Sequence, residues 1–296
     1  MTHRIEILGR VALSAAMLST GCARSVNLLN PDTPRFVGEY ATPVVATQAP
    51  GATLRVVTFN IKASREIDRS ITLLQSDSLR GADIVALQEM NATGVDRIAR
   101  ALKLNYIYYP SLIHPVNKDY FGPAILTRWP IERSWKVFLP YEAWGRKLRR
   151  TATAAIVRVN GLRVLVYSVH LETMVKLSEP HRTEQARTVT EDAKGFSGPV
   201  VIAGDLNDYA MAARIRQQGY LWTSQWLGPT HLVFTLDHIL TRGLVLARPG
   251  SVGVVRQVLG ASDHRPVWAV LAPAPASLSA CRTRPEREIS RQVAAC

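Results

Sequence analysis

A series of short apolar runs, most of them ended by a polar residue suited to chemistry, constrains this chain more than any other feature. LRVVTFN stops at Asn60, DIVALQE at Glu89, LRVLVYSVH at His170 and PVVIAGD at Asp205, with Asn207 two residues on. TLDHIL carries Asp237, and ASDHRPV opens the last run with Asp263 and His264. Runs of this length, rich in β-branched and aromatic residues, read as strands. If they are strands, their ends gather the polar groups into one site. Carboxylates, an amide and two imidazoles around one point are what metal-assisted phosphate chemistry requires.

Between the strands lie segments of helical period. REIDRSITLLQSDSLR places Ile67, Ile71 and Leu74 on one face, and TGVDRIARALKL and EPHRTEQARTVTEDAKG follow as helices, the last with Gly195 as its expected cap. NYIYYP reads as a strand between the second helix and Gly122. After Gly122 the texture is mainly β, and Asn160-Gly161 predicts a tight antiparallel hairpin. Strands alternating with helices in the first part, and hairpins with further helices in the second, predict an α/β fold. Two mixed sheets packed face to face with helices outside suit this order. No repeat or internal linker divides residues 52–272, which read as one domain.

The flanks read differently. Residues 1–22 combine Arg4 and Arg10, the apolar run VALSAAML and the small residues before Cys22, the layout of a bacterial export signal ending at a lipidated cysteine. The apolar run is far shorter than the roughly 20 residues of a membrane span. Ser19 departs from the usual lipoprotein pattern, which carries a larger aliphatic residue there. Residues 23–51, with Pro31, Pro34, Pro43 and Pro50, read as a flexible tether, and residues 273–296 as a peripheral tail. Cys281 and Cys296 in that tail could pair in an oxidising compartment or stay free. The expected location is the bacterial cell envelope, anchored in the periplasm or outer membrane. A net charge of +13 favours an anionic partner, nucleic acid, phospholipid headgroup or phosphorylated small molecule.

Each polar residue has a functional and a plainer reading. Glu89 is either a ligand for a hard cation such as magnesium or an acid at a helix start. Asp205 can take a proton from attacking water while Asn207 orients it, or GDLN is an Asx turn. His264 needs a carboxylate behind it to fix its tautomer, and Asp237 is the candidate, with Asp263 helping to hold the metal, or Asp263-His264 is a satisfied surface pair. His170 would point to the same rim, and Asn60 could hold a neighbouring carboxylate. His238 should face away from the site, His114, His181 and His231 are expected in solvent, and Glu172 has no firm role. Arg146, Arg149 and Arg150, beside Trp144, form the basic cluster expected to bind substrate, or else a solvated loop.

Taken in order, TFNIK, LQE, GPAILTRWPI, VHLE, HRTEQAR, GDLND, LDHI and SDHRPV resemble the endonuclease/exonuclease/phosphatase superfamily over about residues 52–272. The resemblance implies a four-layered αββα sandwich of DNase I type and a magnesium-dependent phosphodiesterase or phosphomonoesterase site, with Mn2+ as the alternative ion. It implies Glu89 and Asp263 at the metal, Asp205 with Asn207 as base and amide partner, and Asp237 orienting His264. It also places Asn60 at the end of the first strand and His170 on the phosphate side. Gly122-Pro123-Ala124 departs from the family's usual sequence, since proline removes a backbone donor. The leading expectation is an envelope-anchored nuclease acting on DNA as a monomer. A phospholipid or sphingolipid phosphodiesterase, a hydrolase of soluble phosphate esters and a non-catalytic envelope scaffold are the alternatives.

Overall fold

The computed structural model describes residues 26–42 and 53–275. The expected signal segment, Cys22, Cys281 and Cys296 lie outside the described residues. In chain order the elements begin with β1 (Val26–Asn27), β2 (Phe36–Gly38), β3 (Leu54–Asn60), α1 (Ile67–Leu74), β4 (Ile84–Met90) and α2 (Ala92–Leu102). Next come β5 (Asn105–Tyr108), β6 (Leu112–Ile113), β7 (Tyr120–Thr127), β8 (Ile131–Glu142), β9 (Arg149–Val159) and β10 (Leu162–His170). The chain continues with α3 (Glu179–Asp192), β11 (Val200–Asp205), α4 (Tyr209–Gln217), β12 (Leu221–Trp222) and β13 (Asp237–Arg242). It closes with β14 (Leu244–Leu246), β15 (Val252–Val254) and β16 (Val267–Pro273).

Two mixed sheets result. The first has ten strands along β1-β6-β7-β4-β3-β16-β14, with β15 beside β16, β5 beside β7, and β2 beside β5. The second runs β12-β13-β11-β10-β9-β8. Strands β3 and β4 are parallel, as are β10 and β11, while the pairings around them are antiparallel. Asn160 and Gly161 both take positive φ in the β9–β10 turn, which is the hairpin their sequence predicts.

Alternation along the central strands explains the layers. Val56, Ile84 and Ala86 point inward to meet Val166, Val201 and Ala203 of the other sheet. Their neighbours Val57, Val85 and Leu87 point outward under Ile67, Leu73 and Leu74 of α1 and Val95 and Ile98 of α2. In the second sheet Leu165, Tyr167, Val200 and Ile202 face Ala186 and Val189 of α3 and Met211 and Ile215 of α4. Three apolar interfaces therefore separate four layers, helix, sheet, sheet and helix, and both sheets are covered on both faces. Among the described residues no helix is long and apolar enough to cross a membrane.

Three expectations change. Residues 26–42, read as tether, lie against the domain: β1 pairs with β6, β2 pairs with β5, and Phe36 stacks on Tyr108. The buried Lys136 ammonium donates to the carbonyls of Leu28 (3.1 Å), Asn30 (3.0 Å) and Thr33 (3.4 Å). Strands of two and three residues leave no period to read, and a lysine that binds backbone oxygens leaves no signature in the segment it holds. Helix α3 is capped by Ala193 in right-handed conformation, not by Gly195. Pro123 breaks no ladder, because it stands opposite a bulge in β4 between Leu87 and Met90, where the register with β7 shifts.

Candidate active site

The carboxyl ends of β3, β4, β10 and β11 converge at one edge of the sandwich, and Asp205 sits at their centre, fully buried. Gly204 makes this approach feasible: a Cβ there would stand 2.0 Å from the carbonyl oxygen of Val169 in β10. The bulge in β4 is what aims Glu89. Its φ is +60°, the left-handed region a non-glycine residue rarely adopts, and the turn presents its carboxylate to the edge. There Oε2 accepts from the Ala63 N–H at 2.8 Å and Oε1 from Asn60 Nδ2 at 3.4 Å.

Asn60 ties the two sheets together. Its Nδ2 also donates to Asp205 Oδ2 at 3.0 Å, and its Oδ1 accepts the Lys62 N–H. Asp205 Oδ1 accepts the Asn207 N–H at 2.9 Å, so the Asx turn is real. Asn207 is left-handed (φ +54°), and its side-chain Nδ2 donates to Leu171 O at 2.8 Å. The turn fastens the Asp205 carboxylate and leaves Oδ2 toward the site. Burial pushes the Asp205 carboxyl up to about 7, against the lowering influence of His264 and Asn60.

Two histidines approach Asp205 Oδ2 from opposite sides. His170 Nε2 is 3.5 Å away and His264 Nε2 is 3.8 Å away. Behind His170, Arg150 Nη1 lies 3.1 Å from Nδ1. Arginine can only donate, so Nδ1 accepts and the ring proton sits on Nε2, facing Asp205 and Glu89. Burial and then the Arg150 charge hold this imidazole well below its ordinary value, so it is neutral. Behind His264, Asp237 Oδ2 lies 2.8 Å from Nδ1, while Asp237 Oδ1 is buried with no hydrogen-bond partner. Burial opposes a charge on this ring, but Asp237 and Asp205 outweigh it and push it up to about 10.

The basic cluster divides. Arg146 is exposed and Arg149 is half-buried, its N–H donating to Asn27 Oδ1 at 2.9 Å. Arg150 is not the solvent-facing substrate contact expected from sequence: it is buried and ion-paired with Glu172, Nε to Oε2 at 3.0 Å. Glu172, which sequence left without a role, is thus the counter-charge of the group behind His170. His231, expected in solvent, packs its ring 4.6 Å from that of His264. His238 does face away, bonded to Trp222 Nε1 at 3.2 Å. The HRTEQAR segment also gains a purpose. Arg182 pairs with Asp208 at 2.6 Å, Asp208 caps α4 through Ala210, and Gln185 accepts the Glu172 N–H. Beneath the site Gln88 bridges the sheets, donating to Ser168 Oγ at 3.1 Å.

Asp263 is partly exposed and pairs with Lys62 Nζ at 3.0 Å, with His231 Nε2 4.0 Å away. Burial would raise its carboxyl, but Lys62 and His264 hold it below the usual range. Two sets of ligand-type side chains have donor atoms within 4.8 Å of one another: His231, Asp263 and His264, and Asp205, Asp237 and His264. Glu89 is in neither set. Its carboxylate nevertheless suits a hard cation, because no lysine or arginine among the described residues forms an ion pair with it and its contacts are the neutral Asn60 amide, the Ala63 N–H and the His170 ring 4.0 Å away.

The family model for the endonuclease/exonuclease/phosphatase family matches residues 57–264, more than half of the chain. The chain belongs to that family. No curated protein matches the sequence. Solved relatives of this endonuclease/exonuclease/phosphatase protein share its fold at low identity. A family member from Beutenbergia cavernae is 21% identical, with a TM-score of 0.61 over 76% of this chain and 72% of its own. TDP2 of D. rerio, complexed with single-strand DNA product, is 20% identical with a TM-score of 0.57, over 74% and 99%. Sphingomyelinase C of Streptomyces griseocarneus is 19% identical with a TM-score of 0.55, over 75% and 100%. The chain has the phosphoesterase fold of this family, with acidic and histidine clusters of the kind that hold divalent metal.

Proposed function

We propose that this protein is a divalent-metal-dependent phosphodiesterase that hydrolyses its substrate by in-line attack of water. The observation that supports it most is the convergence of two histidines, one backed by Arg150 and the other by Asp237, on the single carboxylate of Asp205, itself fastened by Asn60 and Asn207. Asp205 Oδ2 takes the proton of the water whose oxygen attacks phosphorus, and the bond to the leaving alkoxide breaks. Asn60 and the Asn207 N–H hold that carboxylate in place. His170 donates a hydrogen bond from Nε2 to a phosphoryl oxygen without adding charge. His264, kept protonated by Asp237, balances the developing negative charge and is placed to supply the leaving oxygen with a proton. A magnesium ion, or manganese in its place, held by Glu89 with Asp263, would supply further charge neutralisation at the phosphoryl group.

Two substrate classes share this chemistry. A polynucleotide, the leading expectation from sequence, is supported by the basic chain and by the DNA-bound D. rerio neighbour. A phospholipid headgroup is supported by the sphingomyelinase neighbour and by exposed apolar loops at the site. With Arg150 committed to Glu172, the surface cluster offers less to a phosphate backbone, and the lipid reading gains weight. The amino-terminal segment supports export as a lipoprotein of the cell envelope, acylated at Cys22.

The test is hydrolysis of a soluble diester, bis(p-nitrophenyl) phosphate, with magnesium, with chelator and with the Asp205→Asn and His264→Ala variants. Magnesium-dependent turnover lost in both variants is the expected result. Chelator-resistant turnover, or full activity in Asp205→Asn, would overturn the proposal. Supercoiled plasmid and phospholipid vesicles then separate the two substrate classes.

A further inference from the structure

Three segments at the mouth of the site expose large apolar side chains. Trp144 is 75% exposed in the β8–β9 loop and Val175 78% exposed just past β10, beside Met174. In the loop before β13, three consecutive residues, Leu232, Val233 and Phe234, are exposed, Val233 at 77%. A run of bare apolar side chains at a loop tip is unfavourable in water unless something covers it. Their placement is not scattered. Trp144 N–H donates to Lys176 O at 3.0 Å, so the first two tips are joined, and Leu171 at the root of the second donates to Asp205 O. The third tip is fixed to the other side: Arg265 N–H donates to Thr230 O at 2.7 Å, and His231 bridges to His264. Because β10 and β13 flank β11, the apolar tips stand on both sides of Asp205, roughly one strand spacing, about 5 Å, to either side at their roots.

The charge of these segments is mainly positive, with Glu142 an exposed carboxylate at the base of the first. Residues 143–149, 173–177 and 226–236 contain no carboxylate, while Arg146, Lys147 and Lys176 are exposed among the apolar tips. Apolar tips interleaved with cations match an interface with fatty acyl chains below and anionic headgroups around it. The amino-terminal arm points the same way. Asn27 is fastened to this rim, donating from Nδ2 to Lys147 O at 2.8 Å and accepting the Arg149 N–H. Cys22 precedes Val26 by only four residues, a reach of at most about 14 Å. An acyl chain on Cys22 would bring a bilayer to this rim.

We infer that the mouth of the site docks on an anionic phospholipid bilayer through Trp144, Val175, Val233 and Phe234, and that the diester presented to Asp205 is a phospholipid headgroup. This rests on the phosphodiesterase reading and names its substrate class. The test uses the full chain carrying Cys22→Ser, so that no acyl chain supplies binding. Co-sedimentation is measured with vesicles of phosphatidylcholine, with and without phosphatidylserine. The parent pellets with the anionic vesicles, and Val233→Ser with Phe234→Ser weakens that partitioning at least about tenfold. Leu162→Ser, on the exposed hairpin at the opposite end of β10, does not change it. Matching thermal unfolding midpoints establish that the variants fold. A parent that stays in the supernatant, a rim variant that pellets like the parent, or retention by duplex DNA without vesicle binding would each overturn the inference. Turnover of the soluble diester by the same preparations reads the phosphodiesterase proposal separately.

Discussion

The two sides of Asp205 are built from the same residue type and reach opposite electrical states. On the β10 side, His170 backs onto an arginine, and that arginine is neutralised by Glu172. On the β13 side, His264 backs onto Asp237 alone. Both rings are buried, so burial works against charge on each, and what stands behind the ring decides the result. A cation behind reinforces burial and the ring stays neutral with its proton on Nε2. A carboxylate behind reverses burial and the ring holds a charge. One fold thereby gives Asp205 a neutral hydrogen-bond donor on one side and an acid on the other, without altering the side chain used.

The comparison breaks most severely at Asp237. Asp237→Asn leaves the shape behind His264 but removes the charge that holds the imidazolium, and turnover should fall about a thousandfold with little change in KM. Steady-state kinetics on a soluble diester check this, and a loss under tenfold would show that His264 works uncharged. The opposite side breaks through stability. Arg150→Met leaves Glu172 buried without a counter-charge, an expected cost of about 3 kcal/mol in denaturant unfolding. Adding Glu172→Gln should restore much of it, and failure to do so would mean Arg150 serves packing rather than charge.

A smaller effect sharpens the comparison through pH. His264 titrates near 10 when folded and near 6.5 when unfolded, so its contribution is complete below about 6.5 and lost as pH rises toward 10. Asp205, raised by burial from 3.8 to about 7, slopes the same way, because the folded state holds its proton more tightly than the unfolded chain. Metal-free protein should therefore lose thermal stability steadily across neutral and mildly alkaline pH. Asp237→Asn should flatten the part above 7. A stability that rises over this window would contradict both assignments.

Sequence exposed the parts of this arrangement that depend on local pattern. The runs ending in Asn60, His170 and Asp205 announce strands because their apolar content suits burial on both faces, and the carboxylate needed behind His264 leads directly to Asp237. What it hid depends on pairing across elements. Arg150 looks like one more cation in a surface run until β9 is laid against β10, which turns it inward to Glu172 and His170. His231 sits in a loop with no period, and only its bridge to His264 brings it to the site. Asn207 reaches Asp205 through its backbone N–H because a left-handed turn brings it there, a contact that residue type and spacing do not decide. The amino-terminal arm reads as tether because its strands are shorter than any periodicity can register.

The hydrogen bond from Asn60 to Asp205 joins the end of one sheet to the end of the other. Each half of the sandwich owns part of the reactive cluster, and neither half contains a working fragment of it. A chain still being made therefore lacks the assembled cluster until both sheets are in place. Arming waits for the final packing of sheet on sheet, so the same closure that completes the molecule also switches it on.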